Sequence, residues 1–168
     1  MDPPDNLVVF TLDSSHYALR LSAVERAVRM VEITPLPNAP EIVVGVVNHQ
    51  GRIIPVLNMR ARFRLPERRA GVGDQLLIAR TPRRTVALIV DAVRGVIESP
   101  EQGAIAPAAI VPGLDYVTGV VKFSDGMLFI HDLDEFLSLE EEEALEAAIN
   151  GTETSVVMVV EADEESKT

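Results

Sequence analysis

Gly45-Val46-Val47-Asn48-His49-Gln50-Gly51-Arg52-Ile53-Ile54-Pro55-Val56-Leu57 is the stretch whose reading decides how this chain folds. Two apolar, β-branched runs, 43–47 and 53–57, flank the polar tetrapeptide Asn48-His49-Gln50-Gly51. That pattern predicts two strands joined by a tight reversal, because branched side chains suit a pleated surface and a polar break ending in glycine suits a turn. Gly51 supplies the positive φ that such a turn demands, and Gly45 leaves room for another backbone to come close. Pro55 has no N–H to give a ladder, so the second strand is expected to lie at an edge or to bend there. The runs are too apolar for a wet face, which places the hairpin between two layers, as the seam of the molecule.

Working outward, residues 7–12 and 16–21 read as a first hairpin around Asp13-Ser14-Ser15, the second strand alternating polar and apolar. Residues 22–26 read as one helical turn capped by Ser22. Residues 28–33 alternate again and end at Pro35, Pro37 and Pro40. Beyond the central hairpin, residues 59–65 form a short basic helix closed by Pro66, and residues 67–73 an exposed loop. Three strands follow, at 75–80, 85–90 and 92–98, with Gly95 marking a bulge or close approach. Residues 99–113 are rich in Pro, Ala and Gly and read as irregular. Residues 116–123 and 127–130 pair around Ser124-Asp125-Gly126.

Leu133, Phe136 and Leu137 then switch to helical spacing, and Leu145 and Ile149 continue the stripe. Ser138 with Glu141 matches a capping box, and Asn150-Gly151 a helix stop. The four glutamates 140–143 read as a solvated helix start, favoured by the macrodipole. Many short strands and one terminal helix predict antiparallel β-barrels. The segments before Gln50 and those after Arg52 would each close one, with the central hairpin feeding both.

Composition narrows the function. The 168 residues suit one domain or two joined lobes; apolar content is 47 % but aromatic content 4 %, so Val, Ile and Leu must build the core. There is no cysteine, which removes disulfides, thiolate metal sites and cysteine nucleophiles. No apolar run approaches the roughly 20 residues that span a bilayer. The start, Met1-Asp2-Pro3-Pro4, is unlike a secretory signal. The net charge of −11 is uneven: residues 132–168 hold 13 acidic residues and one lysine, residues 1–131 hold 14 basic and 13 acidic. An acidic end repels nucleic acid and anionic membranes.

Catalytic groupings are not supported. His16, His49 and His131 are far apart, and His131-Asp132 with Asp134 and Glu135 has offsets that point its side chains apart, so no metal site is expected. Gly71-Val72-Gly73 lacks the rest of a phosphate cradle, and no serine is matched to a histidine. Arg60, Arg62, Arg64, Arg68 and Arg69 read as a solvated loop or a contact to an acidic partner, in preference to nucleic acid.

From about residue 7 to residue 149 the chain resembles the CheW-like domain of bacterial chemotaxis coupling proteins. The resemblance rests on Gly45-Val46-Val47-Asn48 and Gly51-Arg52-Ile53-Ile54-Pro55-Val56-Leu57. It is supported by Val8-Val9-Phe10-Thr11-Leu12, Tyr17-Ala18-Leu19, Ile89-Val90-Asp91-Ala92-Val93 and Tyr116-Val117-Thr118-Gly119. Two departures stand out: Asn48-His49-Gln50-Gly51 replaces the family's frequent Asn-Leu-Arg-Gly, and Asn58 replaces a frequent aspartate. The resemblance implies a mainly β fold of two intertwined five-stranded Src-homology-3-like β-barrels with a C-terminal helix. It implies a non-enzymatic cytoplasmic adaptor, without cofactors, at receptor arrays on the inner membrane. Its partners would be the cytoplasmic tips of methyl-accepting chemoreceptors and the regulatory domain of the histidine kinase CheA, with no nucleic acid and no membrane insertion.

Carried over by matching position, the receptor-facing groove would include Val24, Ala27, Gly45, Val46, Gln50 and Ile53. The kinase-facing strand would include Leu76, Leu77 and Ile78. The expected organisation is a disordered N-terminus at 1–6, a CheW-like domain at 7–150 and an acidic tail at 151–168. Residues 154–160 of that tail are β-prone and fenced by carboxylates, so they read as an extra strand on the chain's own sheet or on a partner. Two rival readings remain: a coupler of a chemosensory-like array for surface motility or development, and a β-barrel binding a small molecule between its lobes.

Overall fold

The computed structural model describes residues 6–98, 117–123 and 126–151. The strand expected at 154–160, the N-terminal residues 1–5, the stretch 99–116 and the Ser124-Asp125 part of the last hairpin turn lie outside the described residues. Ten strands are described: β1 Leu7–Leu12, β2 Ser15–Arg20, β3 Val24–Arg29, β4 Val43–His49, β5 Arg52–Leu57, β6 Gln75–Arg80, β7 Thr85–Val90, β8 Ala92–Ile97, β9 Val117–Phe123 and β10 Gly126–His131. A four-residue helix α1 spans Met59–Arg62, and α2 covers residues 139–151.

The strands form two five-stranded sheets, ordered β8-β1-β2-β10-β9 (lobe 1) and β3-β6-β7-β5-β4 (lobe 2). The fold is mainly β with a C-terminal helix, as the resemblance implies, but its partition differs from a split at Gln50. The first hairpin, β1–β2, is completed by β8 on one side and by β10, in parallel, on the other. The central hairpin stays whole in lobe 2, because its two-residue turn keeps β5 against β4 while β5 adds β7 in parallel. Each sheet is an open ladder among the described residues rather than a barrel closed by strand pairing. Lobe 2 nevertheless curls until its ends meet: Thr34 exchanges two backbone hydrogen bonds of 2.8 Å with Val46 on β4.

The continuous apolar runs follow from burial on both faces. In β1, Leu7 and Val9 enter the lobe 1 core, while Val8, Phe10 and Leu12 face the seam between the sheets. In β6, Leu76 and Ile78 enter the lobe 2 core, while Leu77 and Ala79 face the seam. The central hairpin gives only its base to that seam, through Val43, Val46 and Leu57. Val47, Ile54 and Val56 enter the lobe 2 core, while Val44 near the base is 41 % and Ile53 near the tip 53 % exposed, so the hairpin is a sheet edge and not the middle layer expected from its composition.

Gly95 sits at a bulge, since Val9 pairs with Gly95 and Phe10 with Val93, leaving Arg94 extra. Pro55 is accommodated because the pairing of β5 with β7 begins one residue later, at Val56. Residues 22–26 are not a capped helical turn: a 3-10 turn covers Leu21–Ala23 without a side-chain cap, and β3 starts at Val24, which pairs with Ala79. At the other end a 3-10 turn, Leu133–Glu135, precedes α2. The capping box forms as expected, the Glu141 amide donating to Ser138 Oγ (3.1 Å) and the Ser138 amide to Glu141 Oε1 (2.9 Å). Leu133, Phe136, Leu145 and Ala148 cover the end of the seam.

Candidate functional site

The turn of the central hairpin is the two-residue primed type, with Gln50 at φ +53° and Gly51 at φ +81°. Asn48 Oδ1 accepts from the Gly51 amide at 3.0 Å and steadies it. Next to this tip, Arg52 reaches across the curled sheet to Glu25 on β3, with Nη2 to Oε1 at 2.8 Å. The ion pair brings together two regions 27 positions apart, so Val24, Gln50 and Ile53 share one rim. Gln50 and Ile53 are exposed there, Val24 is half-buried, and Ala27 is exposed further along β3.

Gly45 and Val46 lie further down β4 and are buried, Val46 pairing its backbone with Thr34 while its side chain packs into the seam. A Cβ on Gly45 would collide with the Thr34 carbonyl oxygen and come within 2.9 Å of Ile33 Cγ2. Gly45 is the close approach its sequence position suggests, and Thr34 is the backbone that approaches. The bulge at Val44, between the Val43–Leu57 and Gly45–Val56 pairs, turns that valine outward. The result is a rigid edge carrying isolated apolar side chains.

Leu76, Leu77 and Ile78 are placed otherwise than the resemblance implies. All three are fully buried, and β6 is hydrogen-bonded to β3 on one side and β7 on the other. Neither side chains nor backbone are left for a partner. A run of apolar residues reads the same whether it faces a partner or the protein's own core, and here it faces the core.

The arginines read as a solvated loop or a contact to an acidic partner are largely committed within the fold. Arg60 is 7 % exposed and Arg62 pairs with Glu141 at 2.8 Å, while Arg68 pairs with both Asp74 and Asp91. Two of the four helix-start glutamates are likewise engaged, since Glu142 is buried and bonded to Arg84 at 3.0 Å. These pairings join residues up to 79 positions apart, which no local pattern reveals. His131 is buried in a stack of rings, 4.2 Å from Phe63 and 5.4 Å from Tyr17, and Asp132 caps the turn by accepting from the Asp134 amide. Among the described residues no three His, Asp or Glu side chains are grouped to hold a metal.

The space between the lobes is filled by Phe10, Leu19, Leu57, Leu77 and Leu88, each at most 1 % exposed. A cleft of about 310 Å³ opens at the rim of that seam, between the Leu21–Ala23 turn, the β6–β7 turn and Leu133. Its walls carry Arg20 and Arg80 together with Asp132 and Asp134, both signs of charge in one shallow place.

Carboxylate ionisation depends on these pairs. The hydrogen bond from Arg60 holds the Asp13 carboxyl below its ordinary 3.8. Burial pushes Asp91 up, but bonds from the Asp13 amide, Arg60 and Arg68 outweigh it and leave Asp91 below 3.8. Burial likewise raises Glu141, and the Ser138 amide and Arg62 outweigh it. Depressed values in the fold mean that the stabilisation is complete above the unfolded carboxylate range, about pH 4, and is lost as pH falls through the folded values. Urea midpoints are therefore expected to stay level from pH 7 to about 5 and to drop below that. In Asp91→Asn the acid slope is expected to be shallower, which a midpoint series across pH measures.

Comparison with known proteins agrees with this architecture. The CheW-like domain family matches residues 6–141. A chemotaxis protein CheW of Treponema pallidum is 28 % identical over 146 residues, covering 83 % of this chain and 86 % of that protein. The CheW of Thermotoga maritima is 30 % identical over 129 residues, covering 76 % of this chain and 84 % of the relative. A crystal structure of the scaffolding protein TtCheW from Thermoanaerobacter tengcongensis superimposes with a TM-score of 0.73 at 31 % identity, over 82 % of this chain and 95 % of that one. With the crossed pair of five-stranded sheets, the terminal helix and a match over most of its length, this chain belongs to the CheW-like family.

Proposed function

We propose that this chain is a non-enzymatic adaptor of a bacterial chemosensory pathway, working on the cytoplasmic side of the membrane at receptor arrays. It holds the tip of a chemoreceptor against lobe 2 and the regulatory domain of the histidine kinase CheA against a second surface outside β6. The observation that carries the reading is the rim at the tip of the central hairpin, where Gln50 and Ile53 stand exposed beside the Arg52–Glu25 ion pair, on a strand pair braced by Thr34. Small apolar side chains on a fixed edge suit a helical partner that offers its own apolar stripe. Coupling follows when the two receptor states bind the adaptor with different free energies, since equal binding would shift nothing. The relatives' names, chemotaxis proteins and a scaffolding protein, agree with the reading.

Ile53→Asp tests it. Ile53 is 53 % exposed, so the change is expected to move stability by no more than about 0.5 kcal/mol. At the centre of a contact it is expected to weaken receptor-tip binding roughly tenfold or more, with kinase binding unchanged. Titration of each partner against both proteins measures this. An unaltered receptor affinity removes the rim from the site, and a wild-type chain that binds neither partner ends the adaptor reading.

A further inference from the structure

The chain passes from lobe 2 to lobe 1 through a single residue, Asp91, between the last residue of β7 and the first of β8. Polar bonds from both lobes converge on that residue. Its amide donates to the Thr11 carbonyl on β1 at 2.9 Å, and its carboxylate accepts the Asp13 amide at 2.8 Å; both belong to lobe 1. Arg60 on α1, in lobe 2, donates Nη2 to both Asp91 oxygens at 3.0 and 3.2 Å, and Nη1 to Asp13 at 2.7 Å and to the Pro66 carbonyl at 3.2 Å. Arg68 adds a bond to Asp91 at 2.5 Å while holding Asp74 at 2.8 Å. A second bridge lies nearby, from the Val93 amide of β8 to Gln75 Oε1 of β6 at 2.7 Å.

We propose that the Asp13–Arg60–Asp91–Arg68 cluster is a clasp that sets the angle between the two lobes. The apolar seam holds the lobes together, but hydrophobic contact is non-directional and tolerates rotation of one sheet over the other. A planar guanidinium of lobe 2 that grips Asp13 of lobe 1 and the junction residue Asp91 does not, because its fork fixes direction as well as distance. The turn carrying Asp13 is itself in a restricted conformation, with Asp13 at φ +49° and Ser14 at φ +72°, so the lobe 1 anchor has little freedom to follow a displaced partner. Arg60 is a positioning residue: it acts through Asp91 and touches no partner. Any consequence for signalling rests on the adaptor reading, because a fixed lobe angle fixes how two bound proteins are held relative to each other.

The chain has no cysteine, so Arg29→Cys on β3 and Met127→Cys on β10, both exposed, give one spin label on each lobe without interference. Electron–electron distance measurement on the full chain is expected to give one narrow distribution with Arg60 present. Arg60→Met is expected to broaden it at least about twofold, and Arg60→Lys, with the charge but not the fork, to give an intermediate width. Hydrogen exchange at β1 and β6 amides is expected to show both lobes still folded. Should Arg60→Met not fold, Asp13→Asn carries the test, because it removes one anchor and leaves Arg60 on Asp91, and it too is expected to broaden the distribution. An unchanged width in the folded variants would overturn the clasp and assign the angle to the seam alone. The measurement uses no partner, so it stands or falls separately from the adaptor reading.

Discussion

Leu76→Arg is expected to unfold lobe 2. The side chain is fully buried among Val47, Ile54, Val56, Ile78 and Ala87. Truncation to alanine at such a site costs about 2–5 kcal/mol. Arginine costs more, because it overfills the space and brings a charge with no partner into it. Domains of this size hold about 5–15 kcal/mol in all, so the variant is expected to lose most of its cooperative urea transition. Circular dichroism and a urea titration check this before any binding assay. Kinase binding by a folded Leu76→Arg chain of unchanged midpoint would contradict the burial, whereas lost binding by an unfolded one would say nothing about an interface. Ile53 and Leu76 thus separate cleanly: one is a side chain that a partner can meet, the other belongs to the fold.

Gly45→Val has the second-largest expected effect, and it acts on the backbone. The new Cβ would strike the Thr34 carbonyl oxygen, a main-chain atom that cannot rotate away. Relief requires the Ile33-Thr34 segment to move off β4, which breaks both hydrogen bonds between Thr34 and Val46. Overpacking costs about 1–3 kcal/mol and each lost bond about 1 kcal/mol. Amide exchange at Thr34 and Val46 is expected to rise well above that of β6, where the ladder is untouched. The same variant is expected to weaken any partner seated on the hairpin rim, since the edge strand loses its brace. Equal protection of Thr34 in both proteins would show that the segment is not held by this contact.

What was legible in the sequence was local. The turn at Gln50-Gly51, the close approach at Gly45, the bulge at Gly95 and the Ser138–Glu141 box each depend on a residue type whose conformation or reach leaves few alternatives, and each is present. Most strand positions are legible for the same reason, from branched runs bounded by turn residues, but β3 lies at Val24–Arg29 and not at the alternating residues 28–33, because the charged Glu25-Arg26 hides an edge strand. The pairing of strands was not legible, because β2 finds β10 more than a hundred positions away and nothing within either strand names the other. Burial of Leu76, Leu77 and Ile78 was missed because an unbroken apolar run fits a partner surface and a two-sided core equally well. The arginines at 60, 62 and 68 read as a solvated loop or a contact to an acidic partner because their carboxylates at Asp13, Asp91 and Glu141 arrive from distant parts of the chain. Family resemblance carried the overall architecture where local chemistry could not, and the β6 side chains it assigns to a kinase contact lie in the core.

The crossed connectivity also orders events during synthesis. Lobe 2 is built from one continuous length, β3 through β7, and all its strands are present once residue 90 has left the ribosome. The β1–β2 hairpin emerges first yet must wait for β10, so at translation rates of about 5–20 residues per second its apolar residues stay without their final neighbours for on the order of ten seconds. A nascent chain between residues 90 and 131 therefore has all the strands of one lobe and an open edge on the other, the kind of transient apolar surface that favours aggregation.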